Sequence, residues 1–168
     1  MNPIDALMRV LHSFAFFLIG LAVTSLPHVQ APGTATAHSP GAFNGTWVLD
    51  PDNSILNPGS EPAKIELEVR DDGRSIALRF HYPTRENRYT VAFDGQVHLH
   101  TYDGVEWSHA VRRDGANLEF RVHVKRIADH AEISYLEYWS LSDDARSLTI
   151  HTAYPGNRDV IKVFVRRE

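Results

Sequence analysis

The chain contains no cysteine. That absence removes disulfides, thiolate metal ligands, a thiol nucleophile and a lipid-modified cysteine from the functional choices. Basic residues are scattered rather than clustered. The 17 Lys and Arg are outnumbered by 21 Asp and Glu, for a formal charge of −4, which speaks against nucleic acid as a partner. Helical periodicity is missing from Lys64 onward. No glycine-rich phosphate loop precedes a helix, and no H-E-x-x-H occurs. Ser108 and His109 are adjacent in a strand-like run and so point to opposite faces, which excludes them as a nucleophile–base pair.

Long apolar runs are also scarce. FAFFLIGLAVTSL at 14–26 has 13 residues, too few for a spanning helix and suited to the apolar core of a signal peptide. Arg9 is the sole basic residue before it. Ala35-Thr36-Ala37 fits a cleavage site, and Val29-Gln30-Ala31 fits less well because Pro32 follows. The reading is a signal peptide at 1–37, a flexible linker at 38–44 and one domain at 45–168, exported to the periplasm or the exterior. The mature protein is then free of the membrane and monomeric. The alternative is a retained N-terminal anchor. Six of the nine prolines lie between Pro27 and Pro62, marking the linker and an irregular segment after the first strand.

From Lys64 the dominant pattern is alternation of apolar and polar residues, broken by turn residues. Strands are expected at 45–49, 64–70, 75–82, 88–93, 97–102, 105–113, 117–127, 131–141, 147–154 and 160–167. The fold class is all-β: an antiparallel up-and-down meander of about eight to ten strands. Short connections make sequence neighbours spatial neighbours, and closure into a barrel removes exposed edges.

Register follows from the turns. A two-residue turn at Asp114-Gly115 sets Val111 against Leu118 and His109 against Phe120. One at Asp129-His130 sets Phe120 against Trp139 and Val122 against Glu137. The next pairing sets Trp139 by Ile150, Glu137 by Thr152 and Tyr135 by Tyr154. The inner face is then mostly apolar with a polar minority, and Glu106, Ser108, Arg112, Glu119, Arg121 and Lys125 are solvated outside.

FNGTWVLDPDNS at 43–54 carries Gly45-x-Trp47, followed by Leu49, Asp50-Pro51 and Ser54. It resembles the opening motif of the lipocalin superfamily, and the fuller pattern looks like small secreted bacterial lipocalin-like proteins. The resemblance implies a lipocalin-like barrel in which a last-strand arginine, Arg166 or Arg167, packs over Trp47. The second lipocalin motif, Thr-Asp-Tyr, is absent.

The stretch DGQVHLHTYDGVEW at 94–107 poses a register problem. Binary pattern turns Val97, Leu99 and Thr101 inward, leaving His98 and His100 outside in a row with Glu106 and His123. Asp-Gly on both sides favours two-residue hairpins, which oppose Val91 to His98, Tyr89 to His100, His98 to His109 and His100 to Trp107. The histidines then face inward, and the agreement of the two turns favours this arrangement. A slip of one residue exchanges the answers.

Three functions compete. The first is a cavity for a small apolar or aromatic ligand, walled by Trp107, Phe120, Tyr135, Trp139 and Tyr154 and oriented by His109 and Glu137. A solidly packed lumen with His109 and Glu137 satisfying each other is the bland version. The second is a zinc or haem site on His98, His100 and His109, with an open fourth position for metalloenzyme chemistry. The third is an extracytoplasmic interaction module using the loop at 51–62. Binding is favoured over catalysis.

Overall fold

In a computed structural model, the described residues are 41–57, 64–156 and 159–168. The signal peptide and the first part of the linker lie outside them. The rest of the linker reaches into the fold. Residues 41–44 form a turn, and Phe43 is fully buried.

Ten strands follow: β1 (Gly45–Ile55), β2 (Glu66–Asp71), β3 (Ser75–Tyr82), β4 (Arg85–Ala92), β5 (His98–Tyr102), β6 (Val105–Asp114), β7 (Asn117–Arg126), β8 (Glu132–Leu141), β9 (Ser147–Ala153) and β10 (Val160–Arg166). All pairings are antiparallel, in the order β4-β3-β2-β1-β10-β9-β8-β7-β6-β5. β1 pairs with β10 and curls the meander round, so the sheet forms a nearly closed barrel whose free edges are β4 and β5. β1 runs longer than expected, because a bulge after Asp50 carries it through part of the proline-rich segment.

The β5–β6 hairpin has the anticipated register, with His98 opposite His109 and His100 opposite Trp107. Asp103 (φ 49°) and Gly104 (φ 71°) are both left-handed, as a type I′ turn requires. His98 and His100 consequently sit on the inward side. Val97 and Leu99 are 69% and 61% exposed. The row of His100, Glu106 and His123 does not form, because Thr101 faces Glu106 and Ser108 faces His123.

Three other register expectations are corrected. β4 and β5 share no ladder, so Val91 does not pair with His98 nor Tyr89 with His100. At that connection the Asp94 carboxylate accepts from Gln96 N and contacts His98 Nε2 at 3.0 Å, forming a local turn instead of a hairpin. Between β6 and β7, Asp114 pairs with Asn117 and the turn is Gly115-Ala116. Glycine is the first central residue there (φ 59°), which suits type II′ rather than I′. His109 therefore meets Val122 and Val111 meets Phe120. Between β7 and β8 a four-residue loop replaces the two-residue turn, with Arg126 N bonded to Ala131 O. Leu118 meets Trp139 and Phe120 meets Glu137. Both shifts are by two residues, so every side chain keeps its face. The β8–β9 pairing has its anticipated register.

The end of the barrel near the start of β1 is sealed. Arg166, not Arg167, lies over the Trp47 ring, its guanidinium carbon 4.2 Å from the centroid. Its nitrogens donate to the carbonyls of Ala42, Asn44 and Ala145. Gly45 (φ 142°) leaves room for this, since a Cβ there would meet Arg166 Nη1 at 2.8 Å. Trp47 Nε1 donates to Phe43 O at 3.0 Å. Arg167 instead pairs with Glu66 outside. Asp71 is buried. It accepts from Arg113 Nη2 at 2.6 and 2.7 Å, while Arg113 lies over Phe93. Glu119, expected in solvent, is also buried, covered on the outer face by Arg112 and Arg121.

Candidate ligand site in the barrel lumen

The inner face divides into two zones. Towards the sealed end, Trp47, Leu67, Ile76, Leu118, Phe120, Trp139, Leu148 and Phe164 are fully buried. Phe120 and Trp139 pack at 4.8 Å between ring centroids. Of the expected cavity wall, these two belong to the packed floor. Towards the other end, Tyr82, Tyr89, His100, Trp107, Tyr135, Glu137 and Tyr154 are only half-buried, although their strands place them inward.

Glu137 is the anionic residue of this upper zone. Its Oε2 accepts from Trp139 Nε1 at 3.1 Å and its Oε1 from Thr152 Oγ1 at 3.4 Å. The carboxylate does not engage His109, so the two expected partners are satisfied separately or not at all. Burial, then the negative Glu137, pushes the Tyr89, Tyr135 and Tyr154 phenols upward. For Tyr82 burial again leads, with Arg85 opposing it and Glu137 adding to it. At neutral pH all four are uncharged donors.

His109 is 2% exposed. It lies between Tyr89, at 4.4 Å between centroids with planes 19° apart, and Trp107, at 6.1 Å and 4°. Burial, reinforced by His100, pushes its pKa down to about 3. His100 is lowered by burial and by His98. Both imidazoles are therefore neutral at neutral pH. Their rings are 5.6 Å apart, and His100 is 5.4 Å from Tyr89. His98 Nε2 is 3.0 Å from Asp94 Oδ1. Among the described residues no group of three His, Cys, Asp or Glu is arranged to hold a metal ion.

Among the described residues, three buried side-chain polar atoms have no hydrogen-bond partner: Asn87 Oδ1, His100 Nε2 and His109 Nδ1. They come from inward positions of β4, β5 and β6, the strands flanking the unpaired seam. Among the described residues, no protein hydrogen bond engages the hydroxyls of Tyr89, Tyr135 or Tyr154 either. Buried polar groups are normally paired, so this concentration on neighbouring strands is unusual. Sequence reasoning missed Tyr82 and Asn87. Their alternation with exposed Arg88 and Thr90, and with half-buried neighbours, was the available signal.

No protein-family model matches the sequence, and no curated protein matches it. Solved structures with the same fold are numerous. A Schistosoma mansoni fatty acid binding protein in complex with arachidonic acid superposes with a TM-score of 0.60 at 12% identity, covering 78% of this chain and 100% of that one. The Echinococcus granulosus fatty-acid-binding protein 1 gives 0.59 at 12%, covering 76% and 99%. The secretory abundant heat soluble protein 4 from Ramazzottius varieornatus gives 0.60 at 10%, covering 82% and 100%. The shared fold is an all-β, antiparallel, nearly closed barrel. At these identities the likeness concerns the fold.

Proposed function

We propose that this protein is an exported binding protein for a small apolar or aromatic molecule held in the upper lumen. The observation that carries the reading is the set of inward polar groups left without partners beside half-buried aromatic rings. Trp107, Tyr135 and Tyr154 provide apolar wall, the Tyr135 and Tyr154 rings lying 5.0 Å apart. Glu137, His109 and the free phenols orient the ligand, the division of labour common to small-molecule pockets. Solved structures of this fold include proteins described as fatty-acid-binding, which supports a lumenal ligand by analogy of fold.

The test is saturable binding of the neutral probe N-phenyl-1-naphthylamine, with native mass spectrometry of the freshly purified protein. One probe per chain and a co-purified small molecule are expected. Absence of both contradicts the reading.

A second reading is favoured by one observation, the orphan nitrogens of His100 and His109. They would give zinc or haem two imidazole ligands, and a third donor would have to come from outside the described residues. Zinc titration followed by calorimetry tests it. Stoichiometric uptake lost in His109→Phe is the expected result, and no uptake contradicts it.

A further inference from the structure

Glu137 has no ion-pair partner among the described residues. Its neighbours are Phe120 on β7, Tyr135 and Trp139 on β8, and Thr152 and Ile150 on β9. None is basic. Five cations occupy inward register positions elsewhere, and three of them are engaged: Arg113 by Asp71, Arg126 by Asp129, and Arg166 by the Trp47 ring and backbone carbonyls. Arg85 sits at the rim, 4.8 Å from the Tyr82 ring centroid. Lys162 lies on β10 opposite Ile150, without an ion pair to Glu137. The electrostatic influences on Tyr89, Tyr135 and Tyr154 come from Glu137 and other phenols, all of one sign. Neutral His100 and His109 add no positive charge.

Granting the lumenal binding reading, on which this rests, we propose that the ligand carries a cationic ammonium group on an apolar or aromatic body, and that the site discriminates against carboxylates. An ammonium seated at Glu137 gains a charge-assisted hydrogen bond. It also lies beside the faces of Tyr135 and Tyr154, where ring quadrupoles attract cations. The uncharged phenols and imidazoles offer it acceptors at no electrostatic cost. A carboxylate at the same depth meets a like charge in a poorly hydrated space, which raises its cost. A fatty acid has one alternative, to hold its head at the rim near Arg85.

The experiment compares dodecylamine, dodecanol and dodecanoate as competitors of N-phenyl-1-naphthylamine at pH 7, below their micellar concentrations, on the wild-type protein and on Glu137→Gln. The amine is expected to compete roughly tenfold more tightly than the acid, the ratio for about 1.4 kcal/mol. In Glu137→Gln the ratio should fall to within about threefold, with dodecanol unchanged. Equal or tighter binding of dodecanoate overturns the inference while leaving the binding reading intact, and its loss in Arg85→Ala would then place the head at the rim. An amine preference unaltered by Glu137→Gln also overturns it. Failure of the probe and all three compounds to bind overturns both readings. The wild-type ratio decides the matter even if the variant does not fold.

Discussion

Tyr89 of β4 stacks on His109 of β6 at 4.4 Å, although those strands share no ladder. A ring pair thus spans the seam between the two free edges of the sheet. The backbone provides no closure there, and side chains take its place.

Removing that bridge should therefore loosen the seam. Tyr89→Ala is expected to cost about 2–3 kcal/mol, combining lost burial with lost ring contact. Tyr89→Phe should stay within about 0.5 kcal/mol of wild type, because the hydroxyl has no protein partner to lose. Urea unfolding of the two variants measures both.

His109 also makes stability depend on pH in a defined direction. Its folded pKa, about 3, lies below the ordinary value near 6.5. Between those values the unfolded chain binds the proton and the folded chain does not, so stability rises with pH. The contribution is complete above pH 6.5 and is lost as pH falls towards 3. From pH 7 to pH 5 it amounts to about 2 kcal/mol. His109→Phe, which keeps an aromatic ring in the stack, should lose this part of the pH dependence. Parallel urea titrations at the two pH values check it, and an unchanged difference would count against a neutral buried imidazole.

The sealed end makes a separate prediction. Arg166→Ala should cost about 2 kcal/mol, since three carbonyls lose a charged donor and Trp47 loses its cover. Arg166→Lys should recover little of it, because an ammonium lacks the planar fork. Gly45→Ala should also destabilise, because its Cβ would collide with the guanidinium. Thermal unfolding midpoints of the three variants read this directly.

Strand identity and face were legible in the sequence because alternation and turn residues agree over most of the chain. Register was legible where turn type was. Asp103-Gly104 forms the type I′ hairpin its dipeptide favours, and this turned His98 and His100 inward. Asp94-Gly95 has the same two residues and forms no hairpin, because a dipeptide carries no information about whether its flanking strands meet. Gly115 occupies the first rather than the second turn position, a difference of one residue that moved the β6–β7 pairing by two. In the site, Glu137 and His109 were found from pattern, as was the pairing of Glu137 with Thr152, but the Trp139 hydrogen bond to Glu137 and the Tyr89 stack on His109 were not. The long-range closure that brings Tyr89 onto His109 joins strands that exchange no hydrogen bonds, so no local rule points to it.

Exposure on β5 gives a simple check of that register. Leu99→Ser should change stability by no more than about 0.5 kcal/mol, as for other exposed sites. Inward placement of Leu99 would instead cost several times as much on urea unfolding.

The central claim is that the upper lumen, rather than the packed floor, receives the ligand. Trp107 is half-buried there, whereas Trp47 and Trp139 are fully buried below. The most direct measurement is intrinsic tryptophan fluorescence during a titration with neutral dodecanol, in wild type and in Trp107→Phe. The account predicts a saturable change in wild type that disappears in Trp107→Phe while displacement of N-phenyl-1-naphthylamine persists. A change that survives loss of Trp107, or no saturable change in wild type, would contradict it.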